Sequence, residues 1–286
     1  MKNNGKFTTM IIYMISMLIL VVMVYPFLHS LLLSLSPQGY TMSKGLGMVK
    51  DFGLTSWKQI ITSTYMWRGF YNSVLRTVVG SAISIFLQIT LAYPLSKKRF
   101  VGYRFFNFLI VLSTILSAGI IPNYILIKNL HIMNTIWALV LPGAISGFNI
   151  IVLKNFYEGI PYQIEEAAII DGANDLLIFF KIIIYMSLPA ISTIALWTIV
   201  GNWNAWFDAV LYINNREKML LPAILREIVM DQADASFTTV DTGTVPPNSE
   251  SLKAAATMFV TIPILLVYPY MQRFFVSGIT LGAVKG

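Results

Sequence analysis

Six long stretches without a charged side chain constrain the fold of this chain more than any other feature. They run between Lys6 and Lys44, Arg76 and Lys97, Arg104 and Lys128, Lys128 and Lys154, Lys181 and Asp208, and Lys253 and Arg273. Each can hold the roughly 20 residues that a helix needs to cross the hydrocarbon core of a bilayer. None alternates between apolar and polar residues as a barrel strand does, and backbone groups in lipid must be paired. The sequence therefore predicts an all-α membrane protein with six transmembrane helices.

The six predicted spans form a single transmembrane domain over residues 1–286. They cover roughly 10–34, 74–95, 105–127, 136–157, 185–208 and 254–274. Because six is an even number, both ends of the chain are predicted on the same side of the membrane.

Composition supports lipid as the solvent and excludes several kinds of function. The chain is 56% hydrophobic and 12% charged, whereas soluble proteins average roughly a quarter charged residues. Its net charge of +7 is scattered between apolar runs, so it predicts membrane-surface anchoring and no nucleic-acid partner. There is no cysteine, so neither disulfides nor thiolate metal sites are available.

One short connection sets the predicted orientation. Lys97, Lys98, Arg99 and Arg104 lie close together with no acidic residue among them. The positive-inside rule places such a loop in the cytoplasm. Both chain termini are then predicted to be cytoplasmic as well.

The segment IEEAAIIDGAND, residues 164–175, is unusually acidic for so apolar a chain. Pro161 suits the first turn of a helix, and Glu165 and Glu166 follow where the helix dipole favours negative charge. Gly172 allows a tight turn before the next apolar stretch. The sequence predicts a helix over roughly 161–175, a glycine joint and a second helix, and a solvated loop helix without a partner is the simplest interpretation.

The spacing of this segment resembles a known transporter motif. Glu166, Ala167, Ala168, Gly172 and Ile182 match the EAA motif of the binding-protein-dependent permeases of bacterial ABC importers. The stretches FNIIVLKNFYEGIPYQIEEAAIIDGA, WNAWFDAVLYI and QRFFVSGITLGAVKG extend the resemblance, in particular to MalG-type sugar permeases. Within that branch the chain is most similar to the lipoprotein-like and complex-polysaccharide permeases of Gram-positive bacteria.

This resemblance implies an ABC importer type I permease fold, with a cytoplasmic coupling helix between spans 4 and 5. The residues that it places against the ATPase are Glu165, Glu166, Ala167, Ala168, Asp171 and Gly172. One departure concerns the fifth helix, because Ile184 and Tyr185 stand where the family usually has Leu-Pro. The bend of that helix is therefore an open question.

The resemblance also implies partners for this chain. They are a homologous second permease subunit, a cytoplasmic ABC ATPase dimer, an extracellular or lipid-anchored solute-binding protein, membrane lipid and an oligosaccharide cargo. The polar segment from Asn214 to Ser251 is the expected docking place of the binding protein, and the tail Gly282–Gly286 is expected to approach the ATPases. A neutral disaccharide or a glycerol phosphate type compound is the alternative cargo.

Nothing in the chain indicates catalysis. It has no G-x-x-x-x-G-K-[ST] phosphate loop, so ATP and Mg²⁺ are expected to bind to a partner subunit and this chain is expected to hold no cofactor. Its two histidines, His29 and His131, lie far apart in the sequence without acidic or nucleophilic partners. We expect a non-catalytic transport subunit.

Polar and aromatic residues mark a candidate substrate pathway. They are Asn149, Asn202, Trp203, Asn204, Trp206 and Asp208. Aromatic faces stack on sugar rings and amides bond hydroxyls, but an aromatic belt at the membrane interface explains the tryptophans equally well. Asn149 could instead bond a neighbouring helix.

An ion-coupled secondary transporter is the alternative from another class. Such proteins show internal repeats and ionisable groups deep in their spans. We find no clear repeat, and we expect Arg76 to snorkel at the outer end of span 2 and Asp208 to be hydrated. Both observations disfavour this alternative.

Overall fold

The computed structural model describes residues 4–36, 52–230 and 250–283, and within these ranges the chain forms helices and no strand. The predicted all-α fold class is confirmed. The chain groups into two compact units, Met1–Trp67 with Ile224–Ile262 and Arg68–Ala223 with Pro263–Gly286. The single domain over 1–286 stays a prediction.

The first unit holds the N-terminal helices and parts of three longer elements. Its complete helices are α1 (Asn4–Ser34) and α2 (Thr55–Thr62), and it shares α3 (Thr64–Ser96), α13 (Leu221–Val229) and α14 (Glu250–Ala283) with the second unit. Most apolar side chains of α1 between Met10 and Leu31 are exposed around the helix, and Tyr13 is 71% exposed. A helix that is apolar on all sides suits a lipid environment.

The second unit contains the remaining helices. They are α4 (Tyr103–Ile115), α5 (Ile120–Asn129), α6 (Ile136–Val140), α7 (Gly147–Glu158), α8 (Tyr162–Ile170), α9 (Asp175–Ile178), α10 (Ile184–Met186), α11 (Leu188–Asn204) and α12 (Phe207–Tyr212). A π-helical turn, Phe179–Ile183, joins α9 to α10. Its buried core brings together α3, α7, α8, α11 and the segment before α11. The core residues are Ala92, Leu95, Ile150, Leu153, Tyr157, Ala168, Ile178, Phe179, Ile183, Ala190 and Ile194.

Three helices in the described part of the chain are long and apolar enough to cross a membrane: Thr8–Ser34, Thr64–Ser96 and Glu250–Val267. Two bent pairs raise this number to five if each pair forms one span. The bends are 113° between α4 and α5 and 79° between Asp175–Met186 and α11. The fourth predicted span, 136–157, is not one continuous helix, because it consists of α6 and α7 with a non-helical stretch over 141–146. Pro142 and Gly143 lie in that stretch and interrupt the helical hydrogen bonds.

The predicted fifth span, 185–208, is likewise not one continuous helix. Its chain bends at Ser187, where φ is −101° and ψ is 7°, and Pro189 lies in the first turn of α11. Proline lacks an N–H and its ring clashes with the carbonyl four residues earlier, so the preceding helix cannot continue through it. The bend therefore forms without the family's Leu-Pro at Ile184 and Tyr185, because the later proline supplies it.

Gly147 allows α7 to approach α4 closely. A Cβ at this position would lie 2.6 Å from Cγ2 of Thr114 and 2.9 Å from the carbonyl oxygen of Ile110. We expect Gly147→Ala to destabilise the protein by about 1–3 kcal/mol, because the backbone of α4 must move away. The measurement is the unfolding temperature of the purified protein in detergent. Gly143→Ala is the control, since its Cβ would enter open space, and equal losses in both variants would contradict this packing.

Candidate functional site

The acidic helix α8 and the chain after it form the arrangement that the sequence predicts. Pro161 precedes the helix, Asp171 ends it, and Gly172 follows with a left-handed φ of +84°. Asn174 then starts α9, since its side chain accepts a hydrogen bond from the backbone N–H of Leu177 at 2.8 Å. A residue with a Cβ is strained at the φ of Gly172, so the glycine permits the sharp turn between the two helices.

Two neighbouring glutamates point to different sides of α8. Glu165 is 2% exposed and Ala168 is also buried, so both face this chain's own core. Glu166 and Ala167 are exposed, and Ile170 is 80% exposed. The outward face thus combines one carboxylate with small and apolar side chains. Of the two glutamates, Glu166 is the one available to a partner.

Glu165 is paired inside the chain. Its buried carboxylate forms an ion pair with Nζ of the half-buried Lys97, the residue that follows the C-terminal end of α3. The same ammonium lies 4.9 Å from the centre of the Tyr93 ring, a cation–π contact. Because a buried carboxylate is costly unless it is paired, Lys97 fixes α8 to the end of α3. The sequence offered a signal for this partner, since Lys97 is the charge that ends the second apolar run.

A second ion pair joins the same two regions at the surface. Nη2 of Arg99 lies 2.8 Å from Oδ1 of Asp175, and both side chains are exposed. The basic loop 97–104 and the acidic segment therefore lie at the same end of this unit. Between them is a cavity of about 600 Å³ whose wall includes Lys98, Tyr103, Tyr157, Glu158 and Tyr162.

Two of the amides in the candidate pathway bond within the helix packing. Nδ2 of the buried Asn149 donates to Oε1 of Gln88 on α3 at 3.1 Å, and Gln88 in turn donates to the carbonyl of Ala144 at 3.4 Å. Nδ2 of Asn202 donates to Oγ of Ser81, also on α3, at 3.2 Å. The alternative for Asn149, a bond to a neighbouring helix, is the observed arrangement.

Trp203 is buried rather than open to a polar channel. Its ring meets the Phe70 ring edge to face, with centroids 6.0 Å apart. It lines a cavity of about 470 Å³ between α3, α11 and α14, whose wall is formed mainly by apolar side chains such as Val74, Ile85, Ile199 and Pro263. Such a wall suits apolar groups better than sugar hydroxyls.

The remaining pathway candidates lie at a break in the chain. Helix α11 ends at the exposed Asn204, Ala205 is extended with ψ of 125°, and α12 begins after Trp206. The half-buried Trp206 packs edge to face on the exposed ring of Phe207, with centroids 5.5 Å apart. This joint presents an amide and aromatic rings side by side.

The structure corrects our expectation for Arg76 and Asp208. Arg76 does not snorkel, because it is 4% exposed, and its guanidinium forms an ion pair with the carboxylate of Asp208. The carboxylate is therefore not simply hydrated. Sequence spacing gave no sign of this pairing, since 132 positions separate the two residues.

Comparison with known proteins identifies the family to which this chain belongs. Residues 80–281, more than half of the chain, match the family model described as binding-protein-dependent transport system inner membrane component. The chain belongs to this family. It is a multi-pass membrane protein and a non-catalytic permease of an ABC importer.

Similar permeases come from Bacillus subtilis (strain 168). One is the polygalacturonan/rhamnogalacturonan transport system permease protein YtcP, 38% identical over 288 residues that cover 100% of each chain. Another is Protein LplC, 39% identical over 83% of this permease and 80% of LplC. The resemblance to MalG-type and complex-polysaccharide permeases is confirmed.

Solved structures confirm the predicted ABC importer permease fold. A chain of a bacterial ABC transporter involved in the import of the acidic polysaccharide alginate superimposes with a TM-score of 0.85 at 27% identity. The match covers 96% of this permease and 99% of that chain. The contact roles of the acidic helix and of the pathway residues stay predictions.

Proposed function

We propose that this permease carries an acidic oligosaccharide, released from a complex polysaccharide, into the cytoplasm. The observation that carries the proposal is its full-length similarity to YtcP, whose name assigns polygalacturonan and rhamnogalacturonan. Polygalacturonan has one carboxylate per sugar. The alginate transporter with the same fold also imports an acidic polysaccharide.

The energy for transport comes from a separate cytoplasmic ATPase dimer, which binds ATP and Mg²⁺. The exposed face of α8 is its docking place, because a single carboxylate beside small and apolar side chains offers both a bidentate partner for an arginine and an apolar contact. The buried Glu165–Lys97 pair ties α8 to α3. A rigid-body movement of the ATPases therefore reaches α3 directly.

The orientation follows from the basic loop. Positive-inside placement of 97–104 puts α8 on the cytoplasmic side, because the structure joins that loop to the acidic segment through two ion pairs. Both termini are then cytoplasmic. The solute-binding protein docks on the opposite side against Asn214–Ser251, of which residues 231–249 lie outside the described part of the chain.

The complex contains a second, homologous permease that completes the pathway. In this chain the cargo passes the α11–α12 joint, where Asn204 and Phe207 are exposed. Trp203, which precedes Asn204, is buried, and Asn149 is buried in the packing between α7 and α3. Membrane lipid surrounds the outer helices.

The test uses the complete complex of this permease with the second permease, the ATPase and the binding protein, co-expressed and reconstituted in liposomes. We expect oligogalacturonides of three to five sugars to stimulate ATP hydrolysis and to accumulate inside. Neutral oligosaccharides of equal length are the matched control and should do neither. Co-purification of an ATPase and a second permease with this chain checks its partners.

Two results would overturn the proposal in different ways. Equal uptake of neutral oligosaccharides, or uptake of a disaccharide or glycerol phosphate type compound alone, would contradict the acidic cargo. Purification of this chain without an ATPase subunit, together with uptake driven by an ion gradient, would contradict the ATP-driven complex.

A further inference from the structure

Arg76 lies in the apolar helix α3, one of the helices long enough to cross a membrane. It is almost completely buried. A charged side chain in this position is costly, and proteins retain one there chiefly when it has partners and a function. Its contacts therefore indicate what it does.

The guanidinium makes four hydrogen bonds to residues outside α3. Nη1 donates to Oδ1 of Asp208 at 3.1 Å and to the carbonyl oxygen of Ala205 at 3.2 Å. Nη2 donates to Oδ2 of Asp208 and to the carbonyl oxygen of Leu139 at 3.4 Å. The carboxylate is thus held bidentately, the geometry that gives arginine–carboxylate pairs their strength and direction.

All three acceptor residues lie where a helix begins or ends. Leu139 is in the last turn of α6, Ala205 follows the end of α11, and Asp208 is in the first turn of α12. Carbonyl groups at such ends have no partner within their helix, and in a membrane they must find one elsewhere. Arg76 supplies that partner to two breaks of the chain at once.

The break at Ala205 carries the residues of the proposed cargo route. Asn204 is the last residue of α11, and Trp206 and Phe207 lead into α12. Oδ1 of Asp208 also accepts the N–H of Ala209 at 2.9 Å, which fixes the start of α12. The ion pair therefore determines the angle at which the amide and the two aromatic rings are presented.

We propose that Arg76 and Asp208 are positioning residues for transport: their ion pair holds the α11–α12 joint in the arrangement in which Asn204, Trp206 and Phe207 meet the passing cargo. This inference rests on the proposed route past the joint. It does not depend on the identity of the cargo.

The main test is Arg76→Lys in the reconstituted complex. Lysine retains the charge, but its ammonium lacks the planar set of N–H donors with which the guanidinium binds both carboxylate oxygens and two carbonyl groups. We expect the turnover of uptake per assembled complex to fall about tenfold, as for the loss of one hydrogen bond to a charged group. The concentration of loaded binding protein that half-saturates uptake, the assembled amount and the basal ATPase rate should stay within about twofold, because these depend on other surfaces.

Further variants separate positioning from folding. Arg76→Gln leaves Asp208 unpaired and should also reduce assembly, whereas Arg76→Gln with Asp208→Asn should restore assembly but not turnover. Arg68→Gln is the matched control, since Arg68 lies on the same helix and its ion pair with Glu217 is exposed. Because Glu217 lies in the proposed docking segment of the binding protein, this variant is compared at saturating binding protein, where its turnover per assembled complex should equal that of the wild type.

Wild-type turnover in Arg76→Lys would overturn the proposal. The proposal would also be overturned if only the assembled amount fell in these variants while turnover per complex stayed constant. That result would mean that the ion pair serves folding alone. These variants are measured with whichever oligosaccharide the wild-type complex takes up. The test of Arg76 therefore stays valid even if the acidic-cargo proposal is wrong.

Discussion

Glu166→Lys is expected to abolish uptake while the permease is still inserted and folded. Glu166 is exposed on α8, and its neighbour Glu165 is buried and paired, so the new lysine would face a partner rather than this chain's core. Like charges brought together at an interface cost several kcal/mol, which corresponds to a loss of about a hundredfold or more. The measurement is uptake together with ATP hydrolysis in the reconstituted complex.

Two other variants are compared with Glu166→Lys. Glu166→Gln removes the charge but keeps a hydrogen-bonding group, so its loss of uptake should be smaller. Glu217→Lys reverses an exposed glutamate that pairs with Arg68 near the opposite end of α3, and it should leave the ratio of cargo to hydrolysed ATP unchanged. Normal uptake by Glu166→Lys would show that α8 does not dock on the ATPases.

The second large effect concerns stability. Lys97→Met leaves Glu165 buried without a cation, and removing one partner of a buried pair typically costs about 3–5 kcal/mol. We expect the purified protein to unfold at a clearly lower temperature, which fluorescence-monitored melting in detergent would measure. Lys97→Met with Glu165→Met should recover most of the loss, since apolar replacement of both partners is often neutral or stabilising.

Arg99→Met is the matched control for this experiment. It removes a cation from the same loop, but its pair with Asp175 is exposed on both sides. Exposed ion pairs contribute about 0–1 kcal/mol, so the change in unfolding temperature should be small. Similar losses in Lys97→Met and Arg99→Met would mean that burial does not distinguish the two pairs.

Two ion pairs, each with one buried partner, indicate how α3 contributes to the transporter. Lys97 at its C-terminal end holds the acidic helix, and Arg76 holds the joint that carries the pathway residues. The 21 positions between them correspond to about 32 Å along a helix. One helix therefore connects the proposed ATPase contact with the proposed cargo contact, and the variants at Arg76 and Lys97 test its two ends separately.

Much of this architecture follows from local sequence patterns. The charge-free runs are set by the thickness of the bilayer and the rise of a helix, so composition and spacing alone predict an all-helical membrane protein. The acidic helix and its glycine joint follow in the same way. The N-terminal position of the acids and the left-handed φ of Gly172 are preferences of the local chain.

Only the tertiary structure determines which charged residues are buried and which of them pair. Glu165 and Glu166 are adjacent and chemically identical, and only the packing of α8 on α3 buries one and exposes the other. Arg76 and Asp208 are 132 positions apart, so each is interpreted from sequence as an isolated charge near a helix end. A charge in a membrane protein is stabilised by whatever group the folded chain brings within reach. The sequence by itself determined which segments enter the lipid, whereas the pairing of their charges was determined by how the helices pack.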